Sequence, residues 1–148
     1  MSEKSKKVIE ALEALLANSY TLQLKTQNYH WNVTGPSFNS LHMLFETQYT
    51  DLAAAIDEIA ERIRALGGKA PGSFQAFAKI AEIKEETGSP KSTEMVKNLA
   101  NDQDIIVASA EKVLQAAEEI GDEPTVDLAI QRQQIHQKNA WMLHAHLE

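Results

Sequence analysis

A chain of 148 residues with 43% apolar side chains has the size and composition of one globular domain, which excludes a disordered protein. Fourteen basic against twenty-one acidic side chains leave a net charge of −7, which disfavours a surface coated all over in nucleic acid. No apolar run nears the roughly 18 residues of a membrane span, no secretory signal pattern opens the chain, and zero cysteines exclude disulfides and thiolate ligands, as fits a cytoplasmic protein.

The chain starts with a polar segment, Ser2 to Lys7, expected to be a flexible tail over residues 1–7. Its Lys4, Lys6 and Lys7 can touch phosphate, although Glu3 dilutes their charge. Val8, Leu12, Leu15, Leu16, Ser19, Leu22 and Thr26 then recur at helical spacing and predict a first helix to about His30-Trp31. Trp31 is expected to be a core or interface aromatic that excludes water beside His30.

Gly35-Pro36 breaks the pattern, and Ser37 is placed to cap a second helix. Phe38, Leu41, Leu44, Phe45, Leu52, Ile56, Ile59 and Ile63 are its apolar positions, and Gly67-Gly68 end it. Ser73 can cap a short helix from Phe74 to about Glu82, too short to be a bundle member. It reads as part of a crossover that carries the chain along the bundle. Ser89-Pro90 predict the start of a third long helix with Met95, Leu99, Ile105, Ile106, Val113, Leu114 and Ile120, ended by Gly121. Asp122 or Glu123, followed by Pro124, opens the fourth, read on Val126, Leu128, Ile130, Ile135, Ala140, Leu143 and Leu147. Four long helices, one short helix and no strand-like alternation predict an all-α four-helix bundle over residues 8–148.

Five side chains of metal-ligand type stand out. His30 closes the first helix; His42, Glu46, Asp57 and Glu61 lie on the second as two i,i+4 pairs. The eleven-residue step from Glu46 to Asp57 returns to nearly the same face at about 100° per residue. It also separates them by roughly 16 Å, while ligand bonds are about 2 Å. The two pairs therefore cannot share a metal within one chain. A second copy of the helix, antiparallel across a two-fold axis near Asp51-Leu52, would set Asp57 and Glu61 of one chain against His42 and Glu46 of the other. The usual di-iron bundle places Glu-x-x-His motifs inside, and no histidine here has a glutamate three positions before it.

The run His30-Trp31-Asn32-Val33-Thr34-Gly35-Pro36, with Phe38, Leu41-His42, Phe45-Glu46, Tyr49, Asp57-Glu58, Ala60-Glu61-Arg62 and Leu66-Gly67-Gly68, closely resembles the Dps family. These are the DNA-binding proteins from starved cells, or miniferritins. The likeness spans essentially the whole chain, including the short helix and the run from His136 to Leu143. It implies a ferritin-like fold in a homododecamer with tetrahedral symmetry, which oxidises ferrous iron and stores the ferric mineral. The resemblance matches the family's ligands to His30, His42 and Glu46 on one chain and Asp57 and Glu61 on its partner, and implies two irons per centre. Hydrogen peroxide is the implied oxidant, dioxygen a slower one, and Trp31 the aromatic that intercepts radicals. The family often has Asp at the position of Glu46, and the extra methylene shifts that carboxylate. Asp51 and Glu58 are candidates for supporting contacts or mineral nucleation, and Asp122, Glu123 and Asp127 are weak candidates for a pore. Zinc suits the same ligands without being the working metal.

DNA-condensing family members carry longer, more basic tails, so DNA binding is expected to be weak or absent, with nucleoid association only if DNA binds. Two other readings remain open. In one, the five residues are interface salt bridges of a structural helical oligomer. In the other, DNA compaction through the three lysines is primary. A hydrolase has no support, since no Ser or Cys nucleophile stands at a telling distance from a histidine.

Overall fold

The computed structural model describes residues 2–148 and consists of five helices: α1 (Glu3–Asn32), α2 (Phe38–Ala65), α3 (Phe74–Ile80), α4 (Ser92–Glu119) and α5 (Glu123–Ala145). Four are long, α3 is short, and α3 lies in the crossover between α2 and α4. Among the described residues no helix is long and apolar enough to cross a membrane.

Ionic and polar pairs set the helix register. His30 meets His42 across α1 and α2, Asn18 meets Ser109 and Lys25 meets Asp102 across α1 and α4, and Gln103 meets His136 across α4 and α5. Asp51–Arg132 and Arg62–Asp122 join α2 to α5. Along α1 and α4, and along α2 and α5, one partner moves up its helix as the other moves down, so both contacts are antiparallel. α1 also anchors the crossover. Asn18 Oδ1 accepts the Glu82 and Ile83 amides, Lys25 Nζ donates to the Lys84 carbonyl, Tyr29 donates to Glu86, and Tyr20 stacks on Phe77 of α3.

Two helix starts differ from the sequence expectation, and the end of α2 falls where it was expected. α1 begins at Glu3, with the Ser2 hydroxyl accepting the Ser5 amide, so residues 3–7 of the expected tail are helical, and Met1 lies outside the described residues. Lys4–Glu119 and Lys6–Glu3 pairing adds to the cap there. α4 begins at Ser92 because Lys91 is extended and its carbonyl accepts the first helical amide, which leaves Ser89-Pro90 ahead of the helix. α2 ends in a 6→1 closure, Gly68 N to Ile63 O, with Gly67 at φ 93, a conformation that favours glycine.

The larger correction concerns α5. Its buried residues are Thr125, Ala129, Arg132, His136, Asn139 and Leu143, spaced four and three apart, whereas the predicted Ile130 is exposed. The inward face is largely polar, so an apolar stripe cannot find it. On the other long helices Leu12, Leu15, Leu22, Phe45, Leu52, Ile59, Ile63, Leu99, Ile106 and Val113 are fully buried as predicted, whereas the predicted Phe38 is exposed. In the interior, Ser19 Oγ, both amide atoms of Gln48, Gln103 Nε2, Arg132 Nε and Asn139 Nδ2 are buried without a hydrogen-bond partner among the described residues. Left so, each would cost about 1–3 kcal/mol, together as much as a domain's net stability of roughly 5–15 kcal/mol.

Candidate metal centre

The end of α1 and the first turns of α2 bring His30 and His42 together. Each ring nitrogen Nδ1 lies 2.7 Å from the other residue's backbone carbonyl oxygen, and the rings stack at 3.8 Å and 12°. A carbonyl can only accept, so both Nδ1 atoms carry the proton and donate it. Both Nε2 atoms then present a lone pair. Neither Nε2 has a hydrogen-bond partner among the described residues, which leaves both for a ligand. Holding the tautomer through the remote nitrogen is how metal-binding imidazoles are oriented.

The reciprocal pair is held by its neighbours. Phe38 stacks on His42 at 5.0 Å, and Tyr49 stands edge-on to His30 at 5.2 Å. Neither was singled out as a site residue from the sequence. The available signal was the i−4 spacing of Phe38 from His42, which reads equally well as core. Trp31, beside His30, is 58% exposed, so it does not belong to this chain's core. With Phe74 and Leu24 it borders a cleft of about 750 Å³ between α1, α3 and the crossover.

Glu46, Asp57 and Glu61 are all exposed on α2. At about 100° per residue, His42, Thr50, Ala53, Asp57 and Glu61 fall within roughly 60° of Glu46. The residues between the two acid-bearing ends are thus the exposed, small Thr50 and Ala53. Leu52, at the same height, faces its own core and is fully buried. Among the described residues no three His, Asp or Glu side chains of one chain gather to hold a metal ion, and the expected His30, His42 and Glu46 do not form such a group by themselves.

Asp51 and Glu58 lie more than about 100° round the helix from Glu46, off the stripe. The Asp51 carboxylate accepts from Arg132 at 2.8 Å, which ties it to the bundle. Asp122 serves as the N-cap of α5, accepting the Thr125 amide and pairing with Arg62 at 3.0 Å. That pairing and the bond from Arg62 Nε to Thr125 tie the end of α2 to the start of α5. Glu123 is exposed, and exposed Asp127 accepts from Gln131. Of the three N-terminal lysines, Lys4 and Lys6 have acidic partners, at 3.7 and 3.4 Å; Lys7 is exposed.

The arrangement is an all-helical bundle of ferritin-like class with a His and carboxylate stripe on its outside. Comparison with known proteins agrees: the Ferritin model, for the ferritin-like domain, matches residues 9–148. The DNA protection during starvation protein of Brevibacillus brevis is 38% identical over 137 residues, covering 93% of this chain and 92% of its own. The crystal structure of a Dps protein from Bacillus brevis superposes with a TM-score of 0.97 at 36% identity, covering 100% of this chain and 99% of that one. The Dps protein of Vibrio cholerae, described as a member of a broad superfamily of ferritin-like diiron-carboxylate proteins, gives 0.93 at 39% identity, covering 98% and 91%. The chain belongs to the Dps family of ferritin-like proteins.

Proposed function

We propose that this chain stores and detoxifies iron as a ferroxidase whose centres form between two copies of α2. The observation that carries this reading is the reciprocal His30–His42 bonding, which commits both Nδ1 atoms and leaves the two Nε2 atoms for a ligand, with exposed Glu46 one turn along α2 from His42. A second α2, antiparallel and centred on Thr50 and Ala53, brings the partner's Asp57 and Glu61 to that pair. The small residues at the centre allow close approach. Each two-fold contact then makes two equivalent sites. Membership of the Dps family further supports a hollow dodecamer of tetrahedral symmetry with a ferric mineral inside, working in the cytoplasm.

Imidazole and carboxylate ligands suit ferrous iron, and the carboxylates favour the ferric product by their charge. Iron is the substrate here, two ions per centre. Each ferrous ion gives up one electron. The two electrons cleave the O–O bond of hydrogen peroxide, and both oxygens leave as hydroxide or, once protonated, water. No hydroxyl radical is released in that balance. Dioxygen is the slower oxidant, and Trp31 at the rim intercepts stray radicals. Zinc fits the same ligands without redox chemistry. DNA binding is weak or absent at physiological salt, since Lys4 and Lys6 already have acidic partners and the net charge is −7.

The test is anaerobic loading with ferrous iron followed by a stoichiometric pulse of peroxide, with ferric absorbance and a hydroxyl-radical trap recorded together. The expected result is rapid oxidation at about two irons per peroxide with little trapped radical, the fast phase being absent in His42→Ala/Asp57→Ala. Identical traces for the two proteins would return the stripe to interface electrostatics.

A further inference from the structure

The polar interior of the bundle is separate from the stripe on α2 and has no role in the proposed oxidation. Register places its members at neighbouring heights. Asp51 meets Arg132 across α2 and α5, so Gln48, one turn earlier on α2, stands level with His136, one turn later on α5. Gln103 bonds His136 directly, with Oε1 accepting from Nδ1 at 2.8 Å. Ser109, six residues along α4 from Gln103, bonds Asn18, which puts Ser19 near the height of Arg132. Asn139 is one turn above His136. Ser19, Gln48, Gln103, Arg132, His136 and Asn139 are all at least nine-tenths buried.

The donor set says what this interior can hold. His136 is neutral, its Nε2 accepting from Arg132 at 3.1 Å and its Nδ1–H already given to Gln103. Gln48 Nε2, Gln103 Nε2, Arg132 Nε and Asn139 Nδ2 are N–H donors without acceptors, joined by the Ser19 hydroxyl; Gln48 Oε1 is the one free carbonyl. Donors around a guanidinium repel a metal cation. A single anion is also a poor match, because Arg132 and Asn139 are seven residues apart, about 10 Å along the helix, and Arg132 is already neutralised by Asp51. Water supplies two acceptor and two donor positions per molecule and can be repeated along the axis.

We propose that a short file of two or three ordered waters, as a built solvent site, runs along the bundle axis between Ser19 and Arg132 at one end and Asn139 at the other. Gln48 and Gln103 bridge its middle. It exchanges with bulk solvent through the α2–α5 seam beside Asp51, whose side chain is 37% exposed. The file satisfies the six unpartnered atoms and makes the bundle centre a hydrated, cation-rejecting layer.

The test is a crystal structure of the full chain grown with bromide, at a resolution that separates ordered waters, alongside Gln48→Leu. The expected result is at least two non-anomalous peaks, each within hydrogen-bond distance of two or more of the six atoms. In Gln48→Leu the middle peak is lost and the end peaks remain. A dry interior with the amides turned to pair with one another would overturn the proposal. An anomalous bromide peak among Arg132, Gln103 and Asn139, or density with a metal's anomalous signal, would overturn it as well.

Discussion

Two helices of this bundle carry polar stripes, and the stripes face opposite ways. On α2 the stripe His42, Glu46, Asp57 and Glu61 points out of the bundle, and its acids lie exposed. On α5 the stripe Arg132, His136 and Asn139 points inward and is buried. Exposed carboxylates keep their water and cost the fold little, so they remain available for a ligand. Buried amides and a buried guanidinium lose their water on folding and must be bonded inside. The comparison predicts that substitutions on α2 change chemistry with little effect on stability, while those on α5 change stability with little effect on chemistry.

The largest expected effect comes from His42→Ala/Asp57→Ala, which should slow the fast phase of ferrous oxidation at least as much as the roughly 10–100-fold typical of losing a supporting contact. The melting temperature should stay within a few degrees of the parent. A mixing experiment sharpens this further. Co-assembled one-to-one His42→Ala and Asp57→Ala chains should recover oxidation at about a quarter of the sites, because half the random two-fold pairs hold one intact site of two. No recovery would place the site within single chains.

Arg132→Ala is the counterpart on α5. It removes the partners of Asp51 and of His136 Nε2 and should cost about 1–3 kcal/mol, read as a fall of roughly 2–4 °C in Tm for each. Peroxide-driven oxidation per folded chain should be unchanged. A Tm equal to the parent's would mean that the inward stripe is not held as described.

The pH dependence of stability gives a smaller effect. Burial first, and the neighbouring Arg132 charge second, push the His136 imidazole down to about 3. In the unfolded chain it titrates near its ordinary value of about 6.5. Between those values the unfolded state binds a proton that the native state does not, so stability rises with pH and is lost as pH falls below about 6.5. The contribution is at most about 1.4 kcal/mol per pH unit. Denaturation of parent and His136→Gln between pH 4 and pH 7, the acid limb set by about 6.5, should show the parent's steeper slope. The smallest effect is expected for Glu46→Asp, which keeps the charge and shortens the reach by about one C–C bond of roughly 1.5 Å. Initial rates should change by a few-fold at most, with a shift in the iron needed for saturation, read by titration before the peroxide pulse.

Much of this was legible in the residues. The apolar positions of α1, α2 and α4 recur at helical spacing because one face of each is dry, and periodicity records that directly. Ser73, Gly67 and Asp122 mark helix ends for local backbone reasons that need no neighbour, whereas Ser37 precedes α2 without a side-chain cap bond. The His and acid spacing on α2 could be read as a stripe because a helix fixes angle and rise per residue, and the same numbers ruled out a single-chain site. The sequence also identified the family through the His30 to Gly68 pattern. Tertiary structure alone decided the rest. Which face of α5 turns inward depends on Gln103 and Asp51 on other helices, and no apolar stripe announces a polar core. The tautomers of His30 and His42 follow from two carbonyls that meet only when α1 and α2 pack. The roles of Asp51 and Asp122 were likewise set by Arg132 and Arg62, far away in sequence. Local geometry is written in the order of the residues, whereas the partner of a polar side chain is fixed only when distant helices close around it.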